Sequence, residues 1–381
     1  MYDRRSFLIR SGAAAGLALA PRMAFAKAET DRRFVFIIQR GAADGLHTVA
    51  PIGDPAYAGA RGQFAADFDS AKKLDSMFAL HPAMTSLAGM YDAKEALFAH
   101  AIASPYRDRS HFDGQNVLES GGLGAYQVKD GWLNRMLGVI PSGEARAIAV
   151  SATVPLALRG PHEVASYALS ALPQASDDLM MRVASLYSGD GQLHGLWSEA
   201  MNTRTLTSDM TAANAQNAAA TGALAAKLLA PANGARIAMI ETGGWDTHAG
   251  QRARLANQLK GLDAMIAALK TGMGAQWSNT MVLVATEFGR TVAVNGTGGS
   301  DHGTGSAAML IGGGVRGGRV MADWPGLGQA ALYEGRDLKP TLGLDQFVAG
   351  AVAGHYGVEP GKVMATLFPD TKGSAPVGGL V

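Results

Sequence analysis

The sequence predicts an α/β protein: an α/β/α sandwich on a mainly parallel sheet, with a helical insertion at about 160–230. Three observations carry this. FVFIIQ (34–39), ALFAHAIA (96–103) and TMVLVAT (280–286) are short, near-continuous apolar runs, the pattern of strands buried on both faces. They alternate with segments of helical apolar spacing, as β-α-β units do. No internal repeat or long linker breaks the alternation, so residues 27–381 read as one large domain.

The elements follow in order. Residues 1–26 are set aside as an export segment: Arg4-Arg5-Ser6-Phe7-Leu8 fits a twin-arginine signal, AAAGLALA follows, and Ala24-Phe25-Ala26 offers a cleavage site. The apolar run falls short of the roughly 20 residues that span a bilayer, so no stable membrane span is expected. FVFIIQ is the first strand and ends at Arg40-Gly41. PAMTSLAGMYDAKE (82–95) is helical, ALFAHAIA a strand, and HFDGQNVLES (111–120) and WLNRMLGVI (132–140) helices. RAIAVS (146–151) is a strand, and the Ala/Leu/Met-rich stretch 177–230 forms long helices. RIAMIE (236–241) is a strand. Residues 251–272 form an amphipathic helix with Leu255, Leu259, Leu262, Ile266 and Leu269 on one face. TMVLVAT and AAMLIGG (307–313) are strands, and GLDQFVAGAVAGHYG (343–357) closes with a helix.

Composition narrows the function. Removal of residues 1–26 takes away four arginines and one aspartate. The totals of 33 basic and 32 acidic residues become 29 and 31, a net charge of about −2. Nothing here points to nucleic acid or an anionic membrane as partner. Without cysteine there are no disulfides and no thiolate metal sites. The expected location is the periplasm or the exterior, and the expected partner in transit is the twin-arginine translocase. The methionines of DDLMMRVASLY (177–187) have helical spacing and read as a core helix rather than a metal-binding run, and His81 and His100 read as structural.

In such sheets ligands gather beyond the carboxyl ends of the strands. Four polar clusters fall there: Asp44 after the first strand, Asp246 and His248 in GGWDTH, Glu287 and Arg290 in EFGR, and Asp301-His302 in the glycine-rich loop 295–306. Converging carboxylates and imidazoles suit a divalent metal: Zn, Mg, Mn or Ca. In extended backbone Asp246 and His248 face the same side. Each residue also has a structural use. Asp44 fits a turn, Asp246 an early helix cap, Glu287 a pair with Arg290, and Asp301-His302 an ordered loop. Ser110 reads as the N-cap of the 111–120 helix, with Asp113 three residues on. That same position offers a hydroxyl to a phosphoryl or sulfuryl group at a helix N-terminus, beside Arg107 and Arg109. His111 is either a metal ligand or a packed first-turn residue.

The order R-R-x-F-L, DGLH, LHP, RSHF, GGWDTH, EFGRT, G-x-DHG and GG-x-V-x-GG resembles the domain-of-unknown-function 1501 family, over nearly the whole mature chain. That family is placed in the alkaline phosphatase and sulfatase superfamily. The resemblance implies an alkaline-phosphatase-like α/β/α core. It carries superfamily roles to Asp44, Asp246, His248, Glu287 and His302 as metal ligands and to a nucleophile near Ser110. Where active phosphatases usually have an Asp-His pair, this chain has Glu287-Phe288, which removes one imidazole. RGAADGLH also departs from the usual family form at Arg40-Gly41, Ala43 and His47. These departures argue against a full two-metal site and leave one metal or a degenerate site.

The leading expectation is therefore an exported metal-dependent hydrolase of phosphate or sulfate esters. Ser110 or a water is the nucleophile, Arg290 or Arg109 the clamp on a small anionic substrate, and Zn, Mg or Ca the cofactor. The alternative is a non-catalytic periplasmic binding or assembly protein on the same fold.

Overall fold

The computed structural model describes residues 30–141, 146–168, 177–206, 217–371 and 374–381. The expected export segment lies outside these residues, as do 169–176 and 207–216 of the expected insertion.

The apolar runs fold as read. The first strand is β1 (Arg33–Gln39), followed by a one-turn helix α1 (Gly45–Thr48), β2 (Val49–Ala50), α2 (Tyr57–Arg61), β3 (Lys72–Lys73) and β4 (Ala79–Leu80). Next come α3 (Thr85–Asp92), β5 (Ala96–Ala103), α4 (His111–Ser120), α5 (Trp132–Leu137), β6 (Ala147–Val150) and β7 (Val164–Ser166). Two helices, α6 (Asp177–Tyr187) and α7 (Gly191–Leu206), form a compact unit of their own. The Asp190 carboxylate accepts from the backbone N–H of Gln192 and Leu193 at the start of α7, and Tyr187 meets Trp197 edge-on. The chain continues through α8 (Ala218–Leu229), β8 (Ile237–Thr242), α9 (Gln251–Met273), β9 (Thr280–Thr286) and β10 (Ser306–Gly312). It ends with β11 (Arg319–Met321), β12 (Leu342–Gly343), α10 (Leu344–Tyr356) and α11 (Pro360–Leu367).

The main sheet runs β11-β5-β10-β9-β1-β8-β6-β7, with β12 on β5. β1 lies at its centre, parallel to β8 and β9, and β6 continues the parallel set beyond β8. Only β10 reverses, pairing antiparallel with β9 and β5 among the described strands. Alternation along β1 divides the core. Phe34, Phe36 and Ile38 pack with α5, α10 and α11 on one face. Val35 and Ile37 pack with α3, α8 and α9 on the other. The buried stripe of α9 includes Leu255, Leu259, Leu262, Ile266 and Leu269.

This topology positions the site. β1, β5, β8 and β9 all end at one edge of the sheet, and antiparallel β10 begins there. The segments after β5, β8 and β9, together with the loop before β10, therefore meet.

Candidate metal centre

Two close approaches draw the strand ends together. Gly41, just past β1, has φ +120°, and a Cβ there would lie 2.6 Å from the backbone nitrogen of Asp246. Its own N–H donates to Glu287 Oε1 at 2.8 Å. Glycine is needed for both the backbone angle and the contact. Arg290, after β9, is buried, and its Nε donates to Ala42 O at 2.9 Å.

Three imidazoles then converge on one carboxylate. His111 opens α4, and its Nδ1 lies 2.8 Å from Glu287 Oε1. His248 Nδ1 lies 2.9 Å from Asp301 Oδ1. His302 Nδ1 lies 3.0 Å from the Arg109 carbonyl. Each of these partners can only accept, so in each neutral ring the proton sits on Nδ1 and Nε2 keeps its lone pair. The free Nε2 atoms point inward. His248 Nε2 is 3.1 Å and His302 Nε2 3.3 Å from Asp246 Oδ1, and His111 Nε2 is 3.5 Å from Asp246 Oδ2. His111, Asp246 and His302 alone form a compact possible ligand set.

The group fits a cation on three grounds. His248 Nε2 and His302 Nε2 stand 3.0 Å apart, with Arg290 Nη1 3.5 Å from His248 Nε2; with both Nδ1 atoms protonated, a cation between the two rings relieves the repulsion of their lone pairs. His111 Nε2 is buried with no hydrogen-bond partner, 3.5 Å from Asp246 Oδ2, so its deprotonated form leaves a lone pair open to a cation. Ligand bonds of about 2.0–2.1 Å in a tetrahedron put donor atoms about 3.3 Å apart, close to the 3.0–3.3 Å among His248 Nε2, His302 Nε2 and Asp246 Oδ1. Charge agrees: the three carboxylates of Asp246, Glu287 and Asp301 stand against the Arg290 guanidinium that pairs with Asp246. The centre is open to solvent, with the Asp246 and His248 side chains 42% and 44% exposed.

The outer groups tune the inner ones. The hydrogen bond that His111 donates to Glu287, outweighing burial, raises the His111 pKa above its ordinary value. Burial pushes Glu287 upward, but its bonds from His111, the Gly41 N–H and Gln115 win and hold it below the usual range. Burial likewise opposes ionisation of Asp246, and the Arg290 guanidinium overcomes it. Burial, then the charge of His111, lowers His302.

Of the residues read from sequence, Asp246, His248 and His302 meet at this point, and His111 joins them. Glu287 stands one shell out, facing His111 rather than the shared gap. Asp44 is elsewhere: its buried carboxylate forms an ion pair with Arg61, caps α1 at His47 N and accepts from Gln251. A carboxylate so matched has no reason to bind a cation. Arg290 is committed as well, donating to Asp246 Oδ1 at 2.6 Å and to the carbonyls of Ala42, Trp245 and Ser300. It orients Asp246. Arg109 pairs with Asp337 and Glu334 instead. Ser110 occupies the N-cap position of α4, next to His111, and its side chain makes no capping bond. Phe288 stacks on His111 with ring centres 5.2 Å apart and walls the centre from the core.

Among solved structures the chain is similar to Ps i-CgsB in complex with k-i-k-neocarrahexaose, at 10% identity and TM-score 0.42, covering 88% of this chain and 74% of that one. It is similar to alkaline phosphatase from the Antarctic bacterium TAB5, at 12% identity and TM-score 0.36, covering 90% and 99%. A third is the C-terminal periplasmic domain of EcEptC from Escherichia coli in complex with Zn, at 9% identity and TM-score 0.38, covering 75% and 74%. No curated protein matches the chain. A family model, "Protein of unknown function (DUF1501)", matches residues 31–368, and the chain belongs to that family.

Proposed function

We propose that this protein is an exported metal-dependent hydrolase of phosphate or sulfate esters. One observation carries the reading: His111 and His302, each with its Nδ1 held by an acceptor, form a compact ligand set with Asp246 at a solvent-open sheet edge, and His248 adds a third imidazole beside Asp246 and His302. Three nitrogen donors favour zinc or another transition metal over magnesium or calcium. A divalent ion bound there supplies positive charge and Lewis acidity to an ester oxygen.

The chain's own residues do the rest. Glu287, Asp301 and the Arg109 carbonyl keep the three Nδ1 protons in place, so the Nε2 lone pairs stay directed inward. Arg290 holds Asp246 ionised and oriented. Ser110, at the N-terminus of a ten-residue helix, offers a hydroxyl beside His111 where backbone N–H groups favour a tetrahedral anion. Phe288 keeps the back of the site dry. The export reading rests on Arg4-Arg5 and the Ala24-Phe25-Ala26 site. No helix among the described residues is long and apolar enough to cross a membrane.

A second reading, a non-catalytic binding or assembly protein, has one observation in its favour. Arg290, Arg109 and Arg107 are all engaged with carboxylates or carbonyls, so no guanidinium among them clamps an anion. A screen of aryl phosphates and sulfates with zinc-loaded protein separates the two. Turnover abolished in Asp246→Ala supports the hydrolase. Zinc binding without turnover of any ester leaves the binding protein.

A further inference from the structure

We infer that Gln251, the first residue of α9, is a positioning residue that holds both ligand-bearing loops in register; this rests on the metal-site reading above. Its side chain is fully buried and uses every hydrogen-bonding capacity of its amide. A carboxylate can only accept, so the nearby Asp44 fixes the amide's orientation: Nε2 donates to Asp44 Oδ2 at 2.6 Å. The same amino group lies 3.2 Å from His47 Nδ1, while His47 Nε2 faces Asp67 at 3.0 Å. Oε1 is thereby left to two hydroxyls. Thr247 Oγ1 donates to it at 3.0 Å and Ser300 Oγ at 2.6 Å.

The two hydroxyls belong to the two loops that build the centre. Thr247 separates Asp246 from His248. Ser300 precedes Asp301 and His302. Both are buried, as are Asp44 and Arg61 behind them. The loops also touch directly, through Asn295 and Thr297 on the His248 carbonyl. Ser300 Oγ also lies 3.4 Å from Asp44 Oδ2; Gln251 ties both loops to the Asp44–Arg61 pair, and its backbone N–H adds a bond to Gly298 O at 2.9 Å. Asp44 thus serves the centre at a distance, by orienting the amide that orients the loops. Because the 3.0–3.3 Å spacing of the donor atoms spans both loops, a shift of either one spoils it.

The test uses full-length mature protein stripped of metal, with zinc as the probe in a chelator competition and near-ultraviolet circular dichroism as the check on folding. Gln251→Leu should weaken zinc binding at least about tenfold, the usual scale for loss of an outer-shell partner. It should also speed amide hydrogen exchange in 244–249 and in 299–304 of the metal-free protein. Thr247→Val should do so in the first loop alone, and should add nothing further in the Gln251→Leu background. Folded Gln251→Leu with wild-type affinity and wild-type exchange overturns the inference. Should that variant not fold, unchanged affinity and exchange in both Thr247→Val and Ser300→Ala overturn it equally. A wild type that binds no zinc would defeat the metal reading itself, while the exchange comparison still decides whether Gln251 orders the loops.

Discussion

The His111 ring lies with Nδ1 2.8 Å from Glu287 Oε1, while its Nε2 is buried without a hydrogen-bond partner, 3.5 Å from Asp246 Oδ2. One face of the ring is fixed by a carboxylate 176 residues away, and the other is presented to the shared centre. Glu287→Gln keeps the shape but offers a weaker, neutral acceptor. Zinc affinity should fall about 10- to 100-fold by competition titration. Affinity within twofold of wild type would mean that His111 is packed and takes no part.

The same pair sets a pH dependence. Glu287 raises the His111 pKa, so in the metal-free protein a proton holds Nε2 to higher pH than in an ordinary histidine. Metal must displace that proton, so affinity should fall as pH drops through the raised pKa. In Glu287→Gln the proton leaves at lower pH, and the affinity–pH curve should move to lower pH while its plateau drops. A curve that keeps its midpoint contradicts the pairing.

Arg61 should be costly to remove. It is fully buried, pairs with Asp44 and donates to the carbonyls of Thr291 and Val292. Arg61→Met strands a buried carboxylate, and urea unfolding should record a loss of about 3–5 kcal/mol. A loss below about 1 kcal/mol would show that Asp44 relaxes toward solvent or another cation.

Acid should destabilise the metal-free fold through buried neutral histidines. Burial lowers His100 to about 4, and its Nε2 donates to Val49 O at 2.8 Å. The folded pKa is depressed, so the unfolded chain takes up the proton first, near the ordinary value of about 6.5. Stability from this group is complete above that pH and lost as pH falls toward 4, at up to about 1.4 kcal/mol per pH unit. Urea unfolding between pH 6 and 4.5 should show His100→Gln with a slope shallower by about that amount. Parallel slopes would contradict it.

The strands were the most legible part of the chain. FVFIIQ, ALFAHAIA and TMVLVAT are apolar throughout because both faces of β1, β5 and β9 are covered, and no turn residue blurs their ends. Leu255 through Leu269 announced the buried face of α9 by spacing alone. The site was legible as a place, since strand order follows from parallel pairing, but less so as a set of ligands. Asp44 and Asp246 are both carboxylates after a strand. What separates them is Arg61, brought to Asp44 by α2, and no local pattern signals that pairing. Glu287, expected as a ligand, instead faces His111, for which the sequence left open a ligand and a packing role. An acid at a strand end can bind an ion or hold the imidazole that does, and only the fold decides which. His111 had one signal, its place after Ser110 in the first turn of a helix that follows a strand. The two-residue strands β2, β3 and β4 carry too few side chains to show a period.

The central claim is that His111, Asp246 and His302, with His248 beside them, hold one divalent ion. Its most direct measurement is the metal content of mature protein purified without chelator and then equilibrated with zinc, set beside Asp246→Ala and His302→Ala. The account predicts about one zinc per wild-type chain, none in either variant, and a zinc-dependent rise in melting temperature confined to wild type. Metal-free wild type with an unmoved melting temperature, or variants that retain the ion, would contradict it.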